Sequence, residues 1–327
     1  MSNSTTYAER LGQIGLDIAL YIDIITFIFG ITGCIGNLLV FTSRRLRKSS
    51  AATYLLCTAL SQLITILVCI QLRVFYDRSG SNLQNQSAVF CKFRYYVAIA
   101  LPALASNYMM LAAFDRYIST SDNARIRAWN QTKVVNRLAI GTLVITLLMS
   151  IHIPILFSIF RNFCQIQPES VYTYIYGGYL IIVVILTPHI LMFIFSVLTI
   201  FALRKSRQRV APAIKDNRVS NRQRTLELKL IQIIVIQVFV SVVSSSLRFG
   251  SASYRTIIFV IIPPTVNAKA AQAFAERVGS SLYFLNYATS FYTSMIISQY
   301  FRKTFYERIR FFYRRYIGQV LQRNSSH

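Results

Sequence analysis

Long apolar runs alternate along this chain with short polar, cationic breaks. Seven of the runs reach the roughly 20 residues needed to cross a ~30 Å hydrocarbon core at about 1.5 Å per residue. They extend from Leu20 to Thr42, Ala52 to Leu72, Tyr95 to Phe114, Leu138 to Phe160, Tyr174 to Leu203, Leu228 to Leu247 and Val278 to Tyr300. Each is too long for a strand and apolar almost all round. A backbone in lipid must satisfy its own hydrogen bonds, so each run is predicted to be a helix. The expected fold is all-α, a seven-transmembrane-helix bundle at 20–300 with a tail at 1–19 before it and a short amphipathic eighth helix within 301–327. Connections are short except around 204–227 and 249–277, and no second domain fits.

Composition agrees with the pattern. Of 327 residues, 54% are hydrophobic and 14% charged, against about 25% charged in soluble domains, which argues against a water-soluble enzyme. The 35 Lys and Arg against 11 Asp and Glu give a net charge of +24. A nucleic-acid binder would not carry this much apolar sequence, whereas a bilayer-embedded protein with basic loops accounts for both features. An odd number of spans puts the termini on opposite sides, and 25 of the 35 basic residues fall on the side of the C-terminus. The positive-inside bias then places the C-terminus in the cytoplasm and the N-terminus outside a plasma membrane. The first run is longer than a signal-peptide core and lacks a small-residue cleavage site, so it is expected to act as its own insertion signal. Sequons at Asn3 and Asn85 lie on the expected outside, but those at Asn130 and Asn324 lie inside, so they do not help to orient the chain.

Cys34, Cys57 and Cys69 fall inside spans and read as small apolar packers. Cys91 and Cys164 both face the oxidising side. A bridge between them would pin the loop between spans four and five across the outer mouth of the bundle; the alternative is two free thiols.

At Asp115-Arg116-Tyr117, at the end of the third span and 24 residues after Cys91, the chain resembles the rhodopsin-like (class A) G-protein-coupled receptors. Gly36-Asn37 resembles that family's first-helix signature, Leu55-Leu56 through Ala59-Leu60 its second-helix pattern, and Pro154 and Pro188 its fourth- and fifth-helix prolines. Phe301-Arg302 opens what resembles its eighth helix. The resemblance covers residues 18–316 and implies a receptor that couples an extracellular ligand to a heterotrimeric G protein. There are departures. Gln62 stands where the family has a sodium-binding acid and Ala105 where it has a polar partner. Ser290-Phe291-Tyr292-Thr293-Ser294 replaces the seventh-helix Asn-Pro-x-x-Tyr, and the sixth-helix Cys-Trp-x-Pro is missing, with Ser244-Ser245-Ser246-Leu247 near its place. Ala98 replaces the Asp of amine receptors and the seventh span has no Lys for a retinal Schiff base, so neither an amine nor retinal is expected.

Arg116 lies at a membrane boundary, where a charge needs a partner or water. The resemblance implies a switch in which Asp115 and Glu227, at the inner end of the sixth span, hold it at rest; the alternative is that Asp115 and Arg116 anchor the helix at the headgroups. The Arg204–Lys229 loop carries nine basic residues, and the 301–315 tail interleaves aromatic with basic residues. That interleaving fits an amphipathic helix on an anionic leaflet, with the basic segments as a docking surface for the G protein. Candidate ligand-binding residues in the outward halves of the spans are Arg73, Tyr95, Ala98, Ile99, Pro102, His189, Tyr283 and Asn286. Each is also open to a packing role. Arg73 suits a ligand carboxylate or Asp77 equally well; Asp23 has the same ambiguity, with the outer interface as its alternative, and His152 reads as a packed ring. The basic excess of the outer segments points to an acidic ligand. With amines and retinal set aside, the resemblance implies a small peptide. No metal-spaced cluster, phosphate loop or nucleophile motif stands out, so no cofactor and no catalysis are expected. The rivals are a seven-span transporter or channel, and a receptor-like protein that binds without signalling.

Overall fold

The computed structural model describes the backbone of residues 2–43, 46, 49–79, 83–121, 123–127, 129, 131–167, 171–210, 218–261 and 265–324. Side chains are described within these ranges except at 2–5, 76–79, 83–84, 124, 204–210, 218–227, 230, 255–261 and 315–324. The chain forms α1 (Ser2–Phe41), α2 (Ser50–Thr65), α3 (Gln71–Ser79), α4 (Leu83–Gln86), α5 (Ala88–Thr120), α6 (Ala124–Arg127), α7 (Thr132–Met149) and α8 (His152–Leu156). A hairpin of β1 (Ser158–Phe160) and β2 (Phe163–Gln165) follows. After it come α9 (Val171–Gly178), α10 (Thr187–Val210), α11 (Arg218–Ile261), α12 (Val266–Ile297) and α13 (Gln299–Asn324). π-Helical turns at Ile66–Ile70 and Tyr179–Leu186 join α2 to α3 and α9 to α10 into continuous rods.

Among the described residues six helices are long and apolar enough to cross a bilayer: Thr6–Phe41, Ser50–Phe75, Ala88–Thr120, Thr132–Leu156, Val171–Leu203 and Ile231–Tyr254. The seventh rod, α12, has the length at 32 residues, but Ser, Thr, Asn and Tyr dilute its apolar character. Its Gln272, Ser281, Ser290 and Ser294 are buried because it packs between α1 and α11. α5 runs through the middle of the bundle, touching α2, α7, α10 and α11. By contrast α7 presents Ile140, Val144, Ile145 and Leu148 outward, an apolar stripe that suits lipid rather than water.

Several boundaries differ from the sequence reading; the sixth span extends within α11 to Arg218 and Ile261, so 204–210 and 218–227 of the expected connection are helical. Residues 2–19 belong to α1, which at 40 residues is about 60 Å long, twice the hydrocarbon core. Its early turns lie against α12, where Gly15 meets the Phe274 ring. The fourth span ends at Leu156 rather than Phe160, because Ser158–Phe160 pairs with Phe163–Gln165. Arg161 and Asn162 turn this hairpin with φ of 51° and 63°, the left-handed pair that matches strand twist. The seventh helix starts twelve residues before Val278, at Val266.

The motif residues have local reasons. A Cβ on Gly36 would overlap the Phe291 ring, so α1 and α12 approach closely only with glycine there. Pro188 has no N–H to continue the α ladder, and side chains bond to carbonyls around it: Thr187 Oγ1 donates at 2.7 Å to Ile182 O, which also accepts the Thr187 N–H, and His189 Nδ1 donates to Ile185 O at 2.6 Å. Pro154 sits in the short α8, just past the turn at Ser150 and Ile151 that breaks the fourth span.

Candidate functional site

The end of the bundle that carries the hairpin is closed by a Cys91–Cys164 disulfide, which settles the choice between a bridge and two free thiols. The hairpin is latched a second time, by Cys164 N–H donating to Asn85 Oδ1 at 2.8 Å. Ser87, the hydroxyl of the same sequon, caps α5 by accepting from Phe90 N–H. Beneath lies a cavity of about 410 Å³. Its wall is made by Cys69, Leu72 and Arg73 from the second rod, Arg94, Tyr95 and Ala98 from α5, Arg248 from α11, and Ala273, Glu276, Arg277, Ser280 and Phe284 from α12. Asp23 of α1, only 1% exposed, fixes one of these arginines: Arg73 Nε donates to Asp23 Oδ2 at 3.1 Å. Arg73 Nη2 donates to Ser281 Oγ at 2.9 Å, and its guanidinium sits 5.5 Å from the Phe284 ring. Arg248 lies 4.6 Å over the Tyr283 ring. A buried charge of this kind is tolerated because it is paired and hydrogen-bonded.

At mid-bundle the helices are joined by amides and hydroxyls instead of charges. Gln237 Nε2 of α11 reaches Ser290 O at 3.1 Å, Ser290 Oγ at 3.0 Å and Ser294 Oγ at 3.1 Å. Asn37 Nδ2 of α1 donates to the same Ser290 Oγ at 3.3 Å. Gln62, Ala105, Asn286 and Ser290 line an adjoining cavity of about 20 Å³, which is too small for an organic ligand. Gln237→Leu keeps the volume and removes the bonds; inter-helix bonds in bilayers average about 0.6 kcal/mol each. Its expected result is a loss of roughly 1–2 kcal/mol, read as a lower unfolding temperature of the purified protein.

At the opposite end Arg116 and Asp115 are 3% and 4% exposed. Arg116 Nη2 meets Asp115 Oδ2 at 2.6 Å, and Ser50 Oγ donates to the same oxygen at 2.8 Å. Arg116 Nη2 also lies 3.5 Å from Ser49 Oγ and 3.3 Å from Ser50 Oγ. Ser50 is the first residue of α2, so the Asp115 carboxylate faces a helix N-terminus, the favourable place for an anion. Tyr117 is turned away from this cluster and stacks on Phe195 at 6.0 Å. The Glu227 side chain lies outside the described residues. α13 follows α12 after Ser298 and packs back on α1 and α12, its Phe301 and Phe305 rings contacting Phe291.

The model for the rhodopsin family of seven-transmembrane receptors matches residues 36–296. The chain belongs to that family. No curated protein compared with it matches the receptor.

The receptor brings together only part of the set of ligand residues expected from its sequence. Arg73, Tyr95 and Ala98 line the large cavity. Ile99, Pro102, His189, Tyr283 and Asn286 do not. Ile99 packs with Ile153, Phe157 and Val184, and Pro102 is buried within α5, its carbonyl 3.5 Å from Tyr287 OH. His189 is spent on Ile185 O and on Ser241 Oγ at 3.1 Å; since the carbonyl only accepts, Nδ1 carries the proton and Nε2 accepts from Ser241. Tyr283 supports Arg248, and Asn286 lines the small mid-bundle cavity. Of the readings open to Asp23, the interface is not the one found: it is buried against Arg73. His152 is the packed ring expected, edge-on to Tyr179 at 4.5 Å. Arg94, Arg248, Glu276 and Arg277 were missed. Positions 273, 277, 280 and 284 recur at helical spacing, so a helix begun at Val266 puts them on one face.

Proposed function

We propose that this receptor takes a small peptide from outside the cell into the arginine-lined cavity and activates a heterotrimeric G protein at the Arg116 end. The observation that carries the reading is the buried Asp115–Arg116 pair, at the far end of the same helix that lines the cavity with Arg94, Tyr95 and Ala98. One element thus touches both proposed sites, as a transducing helix must. The basic excess near the Arg116 end supports a cytoplasmic placement for it, leaving the disulfide and the N-terminus outside. The switch is the Asp115–Arg116 contact together with Ser49 and Ser50; Glu227 and Tyr117 remain proposed members of it. The basic residues of 204–229 and the amphipathic α13 supply the docking surface at the membrane face.

The experiment places the full chain in lipid nanodiscs with purified heterotrimers of each Gα class and follows GTPγS uptake. The expected result is faster uptake than with empty nanodiscs for at least one heterotrimer, and faster still with active members of a peptide library. No acceleration with any heterotrimer would remove the signalling reading, and ligand-independent solute flux in liposomes would favour a transporter. A second reading, a receptor that binds without signalling, is favoured by α11: it runs unbroken from Arg218 to Ile261 with no proline on which to pivot. Peptide binding with no uptake by any heterotrimer is its signature.

A further inference from the structure

We propose that the large cavity selects a ligand bearing two anionic oxygen groups, gripped by arginines from separate helices. This rests on the receptor reading and names the charge of the ligand that enters.

The charge balance of the wall carries the argument. Arg73, Arg94, Arg248 and Arg277 face Glu276, with Asp23 behind Arg73. Among the described residues, with Arg73 paired to Asp23 and one further arginine balanced by Glu276, an excess of two positive charges remains in the cavity. Gathering like charges away from bulk water is unfavourable, and a dianion offsets the cost. Guanidinium forks match carboxylate and phosphate oxygens two at a time, which an ammonium does not do.

The forks are also held in place. Asp23 and Ser281 fix Arg73 from α1 and α12, and the Tyr283 ring supports Arg248. Less side-chain freedom is then lost on binding. Leu72, Ala98 and Phe284 supply apolar wall between the arginines, room for a carbon skeleton joining the two anionic groups. The cavity of about 410 Å³ lies within the range that holds a small organic ligand. Two carboxylates meet this description from either of two sources, a free dicarboxylic acid or the last residue of a peptide ending in Asp or Glu.

The test uses the full purified receptor without G protein, with thermal stabilisation as the readout of binding. The probes are glutarate, the tripeptide Ala-Phe-Asp as free acid, the same tripeptide amidated at its C-terminus, and choline. Glutarate or the free-acid tripeptide is expected to stabilise the receptor, and which one does so identifies the source. The amide should bind more weakly and choline not at all. Arg248→Gln and Arg277→Gln should each weaken binding by about tenfold, the worth of one charge-assisted hydrogen bond. Glu276→Gln should tighten it, a gain that misfolding does not produce. The proposal is overturned if neither dianion binds at millimolar concentration, if the amide or choline binds as well, or if Arg248→Gln, Arg277→Gln and Glu276→Gln all leave affinity unchanged. Because no G protein is present, loss of anion binding with GTPγS uptake intact removes this proposal alone. Anion binding with no uptake removes the signalling reading and leaves this one standing.

Discussion

Replacing Asp115 with Asn raises ligand-independent GTPγS uptake, and replacing Arg116 with Ala brings uptake down to that of empty nanodiscs. Asp115 Oδ2 accepts from both Arg116 and Ser50, so one carboxylate ties the end of α5 to the start of α2. Both charged partners are almost wholly buried, which removes the solvent screening that makes most ion pairs weak. Asparagine keeps the shape and a bond to Ser50 but gives up the charge. A charge-assisted hydrogen bond contributes roughly 1.5–3 kcal/mol, and each 1.4 kcal/mol lost from the resting state shifts a two-state balance about tenfold. Uptake by Asp115→Asn should therefore rise by about tenfold, until the active population saturates. Ser50→Ala removes a hydroxyl that donates to the same carboxylate, also a hydrogen bond to a charged group, and should move uptake the same way by about tenfold. Arg116→Ala leaves Asp115 without its cation and the partner without the released guanidinium, so it loses function instead of gaining it. Full uptake by Arg116→Ala, or resting uptake by Asp115→Asn equal to that of the parent, would reduce the pair to an anchor at the headgroups.

The same residues explain how far sequence carried the structure. Apolar runs of bilayer length have few alternatives in lipid, so the spans were legible wherever the sequence was strongly apolar. The seventh reads twelve residues short because Val266 to Arg277 is built on alanines with Lys269, Glu276 and Arg277 among them, too weakly apolar for hydropathy to register as part of a span. The arginine cavity was missed for that reason: Glu276 and Arg277 read as loop, and loop residues have no predictable face. The fourth span was read too long because Ile159 and Phe160 suit a strand or a buried helix equally. Asp115 and Arg116 are adjacent in sequence, so their pairing needed no tertiary information. Gln237 and Ser290 are 53 residues apart, and nothing local marks a glutamine as the tie between two helices. The overlap of a Gly36 Cβ with the Phe291 ring is likewise visible only once α1 and α12 lie side by side.

Breaking the disulfide is expected to cost more stability than any other single change considered. Cys91 and Cys164 are 73 residues apart, and closing a loop of that length is worth roughly 4 kcal/mol by the chain-entropy estimate. In Cys164→Ser the hairpin keeps its Asn85 latch, a hydrogen bond worth about 1 kcal/mol, against a turn that holds Arg161 at positive φ. Loosening spreads from there, because Cys91 and Cys164 share a buried cluster with Phe157, which stacks on Tyr95 of the cavity wall at 4.3 Å. The unfolding temperature of purified Cys164→Ser, followed by circular dichroism at the helix band, should fall by about 10 °C. Reducing agent should bring the parent down to meet it and leave the variant unmoved. Asn85→Ala should shift the same transition by only about a quarter as much. If parent and Cys164→Ser unfold together, with and without reductant, the hairpin is held by its packing and its Asn85 bond, and the bridge contributes nothing to the stability of the cavity.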